Sequence, residues 1–292
     1  MTMTPGSNRP SSEARSPQSG GIADYEFIRP LGDGNHGSFH LARPPERLGL
    51  SVEYVAVKTL ADRANDAAFT RMANELKLYA SVKSPYLVEL YDAGQQDGVL
   101  YYAGEYFPDG SLGQPARPLN RQEVLFAVAD AAEAAHALHE VGVAHRDIKP
   151  GNIMIHSTGA KLGDLGLAQI LNPGQTVTGI GPVGTIAYLA PEIIRGEGAT
   201  RATDIWAVGA TLHQALTGRL IFPDVPESSL LDALRHVLHR DPTLAGPLSV
   251  GETAIITSSL EAEPSERPPT ALDLAEDIRG EAQRQLDAIE SL

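Results

Sequence analysis

The apolar pattern of the chain changes once, near Pro108, and this change limits the folds that the chain can adopt. Before Pro108, short β-rich runs such as VEYVAVKTL and VLYYAGEYF are broken by glycine and proline, which is typical of antiparallel strands. One helix is predicted among them, from Asp66 to Val82, because its apolar residues recur at three- and four-residue steps. After Pro108 the pattern is mainly helical. The sequence therefore predicts an α+β fold, with a small β-rich lobe followed by a larger, mainly helical lobe.

Helical patterns dominate the second part of the chain. The first, Arg121 to Val141, is rich in alanine and is followed by Gly142, a residue typical of helix ends. Further helices are predicted at Thr203–Thr217, Ser228–His239, Gly251–Leu260 and Thr270–Ile289. We place the small lobe at residues 22–104, a hinge at 105–110 and the helical lobe at 111–292.

Composition and charge exclude several classes of protein. Lys and Arg total 23 against 37 Asp and Glu, a net charge of −14, which argues against binding nucleic acid or anionic lipid through bulk charge. The absence of cysteine excludes disulfides and thiolate metal sites.

The longest apolar run, Ile205–Gly218, is too short to cross a bilayer. Residues 1–21 are too polar for a signal peptide or a core. We expect a cytoplasmic protein with a disordered tail, no membrane segment and no nucleic-acid partner; its oligomeric state stays open.

Three glycines with G-x-G-x-x-G spacing, Gly32, Gly34 and Gly37, lie between two predicted strands. Glycine lets the backbone approach phosphate oxygens, because it has no Cβ. The spacing alone is equally typical of a flexible turn. A dinucleotide-binding fold would need a helix after these glycines. Here a strand follows instead, and it contains the sequence VAVK, whose last residue is Lys58. This order favours a glycine lid over ATP, with a lysine on the neighbouring strand.

The segment HRDIKPGN, from His145 to Asn152, carries the strongest chemical signal. Transfer of a γ-phosphate to a hydroxyl needs a carboxylate that orients the hydroxyl and accepts its proton, and Asp147 supplies one. Lys149 can neutralise charge on the transferred group, and Asn152 can hold a magnesium ion. Asp164, in the DLG that follows, can chelate the metal that bridges the β- and γ-phosphates.

With Ala190-Pro191-Glu192 further along, the sequence resembles the eukaryotic-like (Hanks-type) Ser/Thr protein kinases of bacteria, from about Tyr25 to Ile278. The resemblance implies a protein-kinase-like bilobal fold. It also implies transfer of the γ-phosphate of ATP to Ser and Thr hydroxyls of protein substrates, with Mg²⁺, or alternatively Mn²⁺, as the metal. Autophosphorylation of the activation loop on Thr176 or Thr178 is expected to activate the enzyme through Arg146.

The same resemblance implies a role for each motif residue. Lys58 would contact the α- and β-phosphates and pair with Glu75 of the first helix. Asp147 would be the catalytic base, with Lys149 as the cation on the phosphate side, and Thr185 would brace both. Asn152 and Asp164 would be the metal ligands. The ATP site would comprise Leu31, Gly32, Asp33, Gly34, Gly37, Phe39, Ala56, Lys58, Gly104, Glu105, Phe107 and Met154. In structural roles, Glu192 would pair with Arg267, and Asp204 would anchor the catalytic loop.

Several positions depart from the family pattern. Phe39 replaces the valine that usually covers the adenine, and Leu165 replaces the phenylalanine of D-F-G. Gly104 stands at the gatekeeper position, where a larger side chain is usual. The back of the ATP site should therefore be deep unless Phe39, Tyr79 or Leu165 fills it.

Two other functions are compatible with this fold class. A pseudokinase scaffold would lack Lys58, Asp147 or Asp164, and all three are present. A small-molecule phosphotransferase would share the catalytic Asp but usually lacks the A-P-E segment and the Thr-rich loop before it. The sequence therefore favours an active Ser/Thr protein kinase.

Overall fold

The fold is taken from a computed structural model of the chain. It describes residues 21–34, 37–63, 66–164, 186–226 and 229–291. Some of the predicted residues lie outside these ranges, namely Leu165, Thr176, Thr178, Thr185 and the predicted tail except for Gly21.

A five-stranded antiparallel sheet forms the small lobe, in the order β1-β2-β3-β5-β4. Its strands are β1 Glu26–Gly34, β2 Gly37–Arg43, β3 Val55–Arg63, β4 Leu90–Gln96 and β5 Val99–Gly104. The helix α1, Asp66–Ser81, joins β3 to β4, one residue shorter than predicted. Gly37 begins β2 with φ of 153°, and a Cβ there would clash with the carbonyl of Thr59 on β3. Glycine is therefore required at this close approach of two strands.

The second lobe is mainly helical, as the sequence predicts. Its helices are α2 Arg121–His139, α3 Pro191–Ile194, α4 Arg201–Thr217, α5 Leu230–Leu238, α6 Val250–Ser259 and α7 Ala271–Glu290. Asn120 caps α2 by accepting a hydrogen bond from the backbone N–H of Glu123 at 2.9 Å. The predicted helix starts and ends differ from these by at most two residues, which is the usual uncertainty at frayed ends.

Short strands complete the second lobe next to the cleft. They are β6 Gly110–Ser111, β7 Gln114–Pro115, β8 Ile153–His156 and β9 Gly159–Leu162, in the order β7-β6-β8-β9. Leu162 of β9 donates its N–H to the carbonyl of Tyr86 at 2.7 Å and accepts from the N–H of Val88 at 3.0 Å. These bonds fix the segment between α1 and β4 to the helical lobe.

The two faces of the sheet pack into different cores. Along β5, Tyr101 and Ala103 belong to a small cluster with Val57, whereas Leu100 and Tyr102 belong to the large core that continues through the helical lobe. Alternation along a strand places these pairs on opposite faces. The face that bears Tyr102 is thus the one turned toward the second lobe.

The large core of the helical lobe is built around α4, whose Ile205, Trp206 and Leu212 are fully buried. The expected pair of Glu192 and Arg267 is present and buried, with N–O distances of 2.7 and 2.9 Å. Burial alone would raise the pKa of Glu192, but the hydrogen bonds from Arg267 outweigh it and lower that pKa. Within the described part of the chain, none of the helices is both long and apolar enough to cross a membrane.

Candidate active site

A cavity of about 570 Å³ lies between the sheet and the helical lobe. Most of the residues predicted to contact ATP line it: Leu31, Gly32, Phe39, Ala56, Gly104, Glu105, Phe107 and Met154. Lys149, Asn152 and Asp164 line the same cavity. The structure therefore brings most of the predicted nucleotide-contacting residues together with the predicted phosphate-side residues, while Lys58 is not part of the lining but pairs with Asp164, which is.

The remaining glycine-motif residues lie at the end of the β1–β2 pair. Gly34 faces Gly37 and Asp33 faces Ser38 in the strand register. They are not among the residues that line the cavity.

Asp147, Lys149 and Asn152 converge through direct hydrogen bonds. Lys149 Nζ donates to both carboxylate oxygens of Asp147, at 2.9 and 2.8 Å. The amide nitrogen of Asn152 donates to the backbone carbonyl of Asp147 at 2.7 Å and to its Oδ2 at 3.0 Å. The carboxylate of Asp147 is thus fixed by two neighbouring side chains while its side chain stays 16% exposed, open to a reactant.

The backbone before Asp147 is held by the buried carboxylate of Asp204, as expected. Asp204 accepts from the N–H of His145 at 2.7 Å and from the N–H of Arg146 at 2.8 Å. His139 Nε2 lies 2.7 Å from the same carboxylate. Burial alone would raise the pKa of Asp204, and these bonds outweigh it and lower the pKa. They hold Arg146 in a left-handed conformation with φ of 72°, which is unfavourable for a residue with a Cβ.

His145 links this loop to the strand that precedes Asp164. Its Nδ1 accepts from the N–H of Asp147 at 3.4 Å, so its Nε2 carries the proton and donates to the carbonyl of Gly163 at 3.1 Å. Burial lowers the pKa of His145, which keeps the ring neutral in this role.

Lys58 forms its ion pair with Asp164. Its Nζ contacts Oδ1 of Asp164, and both side chains are more than nine-tenths buried. Tyr102 donates its hydroxyl to the same Oδ1 at 2.5 Å. Burial alone would raise the pKa of Asp164, but the nearby Lys58 charge and the two hydrogen bonds lower it, so that Asp164 is a carboxylate. The ammonium of Lys58 also lies 4.9 Å from the centre of the Phe39 ring, a cation–π distance.

The expected pair of Lys58 and Glu75 is not present, and this prediction is wrong for the structure. Glu75 instead contacts the guanidinium of Arg146 at 3.4 Å. The second carboxylate oxygen of Glu75, Oε2, is buried without a hydrogen-bond partner among the described residues. The physical reason is that α1 brings Glu75 to Arg146, while Asp164 satisfies the charge of Lys58.

Two tyrosines, Tyr79 and Tyr102, line the cavity together with Gly104. Tyr79 is buried, and its hydroxyl donates to the backbone carbonyl of Val88 at 2.8 Å. The backbone carbonyl of Leu162 is a second acceptor, 3.2 Å from the same hydroxyl. Tyr79 and Gly104 line the same cavity, but the atoms nearest to a Cβ at position 104 belong to Val88, Glu89 and Leu90. The structure also explains the glycine: a Cβ at position 104 would lie 2.7 Å from the backbone oxygen of Glu89.

Two oxygen donors in the cavity fit a divalent metal ion. Because the amide nitrogen of Asn152 bonds to Asp147, its Oδ1 is the end left for a metal. The carboxylate of Asp164 supplies the second donor. No group of three or more His, Cys, Asp or Glu side chains suited to a metal occurs in the described ranges. A pair of hard oxygen ligands completed by substrate phosphates is the arrangement that Mg²⁺ prefers.

Sequence reasoning missed Tyr102. It stands in an apolar strand, where an aromatic residue is ordinary, and no motif marks it. Its position directly opposite Lys58 in the β3–β5 register could have indicated that both residues face the same side of the sheet.

Residues 25–277 match the sequence pattern of a known family, the protein kinase domain. The chain belongs to the protein kinase family. It is 34% identical over 267 residues to the serine/threonine-protein kinase PrkC of Bacillus subtilis. It is also 34% identical over 270 residues to the serine/threonine-protein kinase PknB of Mycobacterium tuberculosis. Each alignment covers 87% of this chain but only 40% and 42% of those proteins.

Solved structures agree with the fold. The kinase domain of PknI from Mycobacterium tuberculosis matches with a TM-score of 0.65 over 92% of this chain and 99% of that one, at 24% identity. This likeness supports the bilobal kinase fold that the sequence predicts. Membership of the family implies the use of ATP and a divalent metal ion.

Proposed function

We propose that this chain is an ATP- and Mg²⁺-dependent serine/threonine protein kinase. One observation carries the proposal: Asp147, Lys149 and Asn152 are hydrogen-bonded to one another, and the latter two line the same cavity as Asp164 and the predicted adenine-contacting residues. The names of the relatives point to the same activity, although the chain spans only about two-fifths of their length.

The adenine would lie between Ala56 and Met154, with the Glu105 carbonyl and the Phe107 N–H facing its edge. This orientation would direct the phosphates toward Lys58, Lys149 and the metal ligands. The bound Mg²⁺, held by Asn152 Oδ1 and Asp164, would neutralise the charge of the β- and γ-phosphates.

In the transfer step, the hydroxyl oxygen of a Ser or Thr forms a bond to the γ-phosphorus, and the bond from that phosphorus to the bridging oxygen of ADP breaks. Asp147 accepts the hydroxyl proton. Lys149, which already contacts the carboxylate of Asp147, lies beside this reaction and stabilises negative charge on the transferred group. The products are a phosphoprotein and ADP.

We further predict that autophosphorylation activates the enzyme and that its substrates are proteins. We also predict that Mn²⁺ can replace Mg²⁺ and that the protein is cytoplasmic. The acidic chain supports the further prediction that nucleic acid is not a partner. The domain limits at 22–104, 105–110 and 111–292 are part of the same proposal.

The proposal is tested by incubation with γ-labelled ATP, Mg²⁺ and a generic protein acceptor such as casein. Wild type should label protein on Ser and Thr, and Asp147→Asn should lower the rate by several orders of magnitude. Asp97→Asn is the matched control, because Asp97 is exposed in the β4–β5 turn with φ of 51°, a conformation that Asn tolerates.

Each rival function gives a different result. A pseudokinase would bind ATP and transfer no label. A small-molecule phosphotransferase would transfer label to an added amino sugar or choline and leave the protein unlabelled. Retention of the wild-type rate in Asp147→Asn would contradict the assignment of that residue.

A further inference from the structure

Tyr102 lies in the site without a role in the phosphoryl transfer described above. It stands on β5 directly opposite Lys58 on β3, and side chains in such a pair leave the same face of the sheet. The ring is 6% exposed and lines the cavity. Its hydroxyl and the ammonium of Lys58 therefore reach the same carboxylate from adjacent strands.

Both contacts use one oxygen of that carboxylate. Tyr102 Oη donates to Oδ1 of Asp164 at 2.5 Å, and Lys58 Nζ contacts the same Oδ1. Neither contact uses Oδ2. A carboxylate whose Oδ1 is fixed by a donor on a rigid strand keeps its other oxygen in a defined direction.

Nucleotide binding would affect the two donors to Asp164 differently. Under the proposed function, Lys58 contacts the nucleotide phosphates, so its bond to Asp164 weakens when the nucleotide binds. Among the described residues, the hydroxyl of Tyr102 has its hydrogen bond to Asp164 alone, and no contact with the nucleotide is proposed for it.

We infer that Tyr102 is a positioning residue for the metal: its phenol holds the carboxylate of Asp164 in the orientation that binds the divalent ion, independently of Lys58. The inference rests on the proposed function and adds a residue to it. Donors behind a metal-binding carboxylate typically change metal affinity by about 10- to 100-fold when they are removed.

The matched control is a second tyrosine in the same cavity. Tyr79 is also buried, but its hydroxyl donates to the backbone carbonyl of Val88 and has no hydrogen bond to Asp164. Tyr79→Phe and Tyr102→Phe each remove one buried hydroxyl and keep the ring. Only the second removes a contact with the predicted metal ligand.

The test measures nucleotide binding, which does not require phosphoryl transfer. A fluorescent, non-hydrolysable ATP analogue is titrated with Mg²⁺ in wild type and both variants, and its affinity is measured separately in EDTA. We expect the half-saturating Mg²⁺ concentration to rise about 10-fold in Tyr102→Phe and to stay within about 2-fold in Tyr79→Phe. The affinity in EDTA should change by less than about 2-fold in both, and far-UV circular dichroism should show both folded.

The remaining outcomes overturn the inference. An unchanged Mg²⁺ requirement in Tyr102→Phe would mean that the phenol does not position Asp164, and a lower one would mean that it competes with the metal. Equal weakening in both variants would indicate a general loss of packing. If wild type bound the analogue with no dependence on Mg²⁺, the metal site of the proposed function would fail as well.

Discussion

The carboxylate of Glu75 on α1 lies 3.4 Å from the guanidinium of Arg146, in the loop that carries Asp147. The family resemblance predicts different partners for both residues: Lys58 for Glu75, and a phosphate on Thr176 or Thr178 for Arg146. In the structure each residue satisfies the charge of the other. A phosphate that binds Arg146 would compete with Glu75 for the charge of the guanidinium, and a Glu75 carboxylate released in this way would be available to Lys58.

This competition makes the response to phosphate depend on Arg146. Autophosphorylated wild type should be at least about tenfold more active than phosphatase-treated wild type, because a phosphothreonine carries close to two negative charges and forms charge-assisted bonds with arginine. In Arg146→Gln the two preparations should have equal activity. The ratio of the two rates is the measurement, so that any direct effect of the substitution cancels.

Arg195→Gln is the control for the loss of one arginine, since Arg195 is exposed at the end of α3. It should keep the wild-type ratio. Mass spectrometry should locate phosphate on Thr176 or Thr178. Phosphate confined to residues 1–21 would contradict this mechanism.

The pair of Lys58 and Asp164 leads to a prediction about stability. Lys58→Met removes the cation from a buried carboxylate, and breaking a buried ion pair in this way typically costs about 3–5 kcal/mol. Tyr102 still donates to Asp164, so we expect about 3 kcal/mol of the free energy of unfolding to be lost, measured by urea denaturation.

The double variant Lys58→Met/Asp164→Asn separates charge from packing. Because it also removes the unpaired negative charge, it should recover more than half of the lost stability while remaining inactive. A Lys58→Met protein as stable as wild type would show that the pair contributes nothing to folding.

Local patterns predicted most of this architecture, because they depend on neighbouring residues. The periodicity of α1 and the alanine-rich run of α2 are short-range features, and both helices occur within two residues of their predicted limits. The motif residues Asp147 and Asn152 are five positions apart, so the sequence places them near each other, whereas the hydrogen bond between them is a finding of the structure.

The partner of Lys58 could not be predicted in this way. Glu75 and Asp164 both have the correct charge, and the choice between them depends on how α1 lies against the sheet. That placement is set by packing across the large core and not by any residue near Lys58. Tyr102 was missed for the same reason, since its contact with Asp164 joins residues 62 positions apart.

Gly104 should tolerate no side chain, despite the large cavity beside it. A Cβ would lie 2.7 Å from the carbonyl oxygen of Glu89, which accepts the N–H of Glu105 at 3.1 Å. Gly104→Ala must therefore shift β4 or the hinge, and we expect a loss of about 1–3 kcal/mol in the free energy of unfolding. The exposed Gly198 has open space around its Cβ position, so Gly198→Ala should change stability by less than about 0.5 kcal/mol. Equal stability of the two variants would show that the strands adjust without cost.

His213 gives the last prediction, a dependence of stability on pH. Its ring is fully buried, with Nδ1 2.9 Å from the carbonyl of Arg219 and Nε2 accepting the N–H of Ala245 at 2.9 Å. The ring is therefore neutral, with its proton on Nδ1, and a proton added to Nε2 would face the Ala245 N–H. Burial lowers the pKa of His213 from its ordinary value of 6.5.

The sign follows from proton uptake. Below pH 6.5 the unfolded chain protonates this histidine, while the folded protein does not until its lower pKa is reached. The contribution of neutral His213 to the free energy of unfolding is thus fully present above pH 6.5. It falls as the pH decreases, by at most about 1.4 kcal/mol per pH unit for one histidine. Buried His145 adds a slope of the same sign. Urea denaturation of wild type, His213→Gln and the exposed control His239→Gln between pH 7.5 and 5.5 measures the slopes. His213→Gln should be less stable at pH 7.5 but should have the shallower slope, whereas a slope equal to that of wild type would mean that His213 takes up its proton in the folded state.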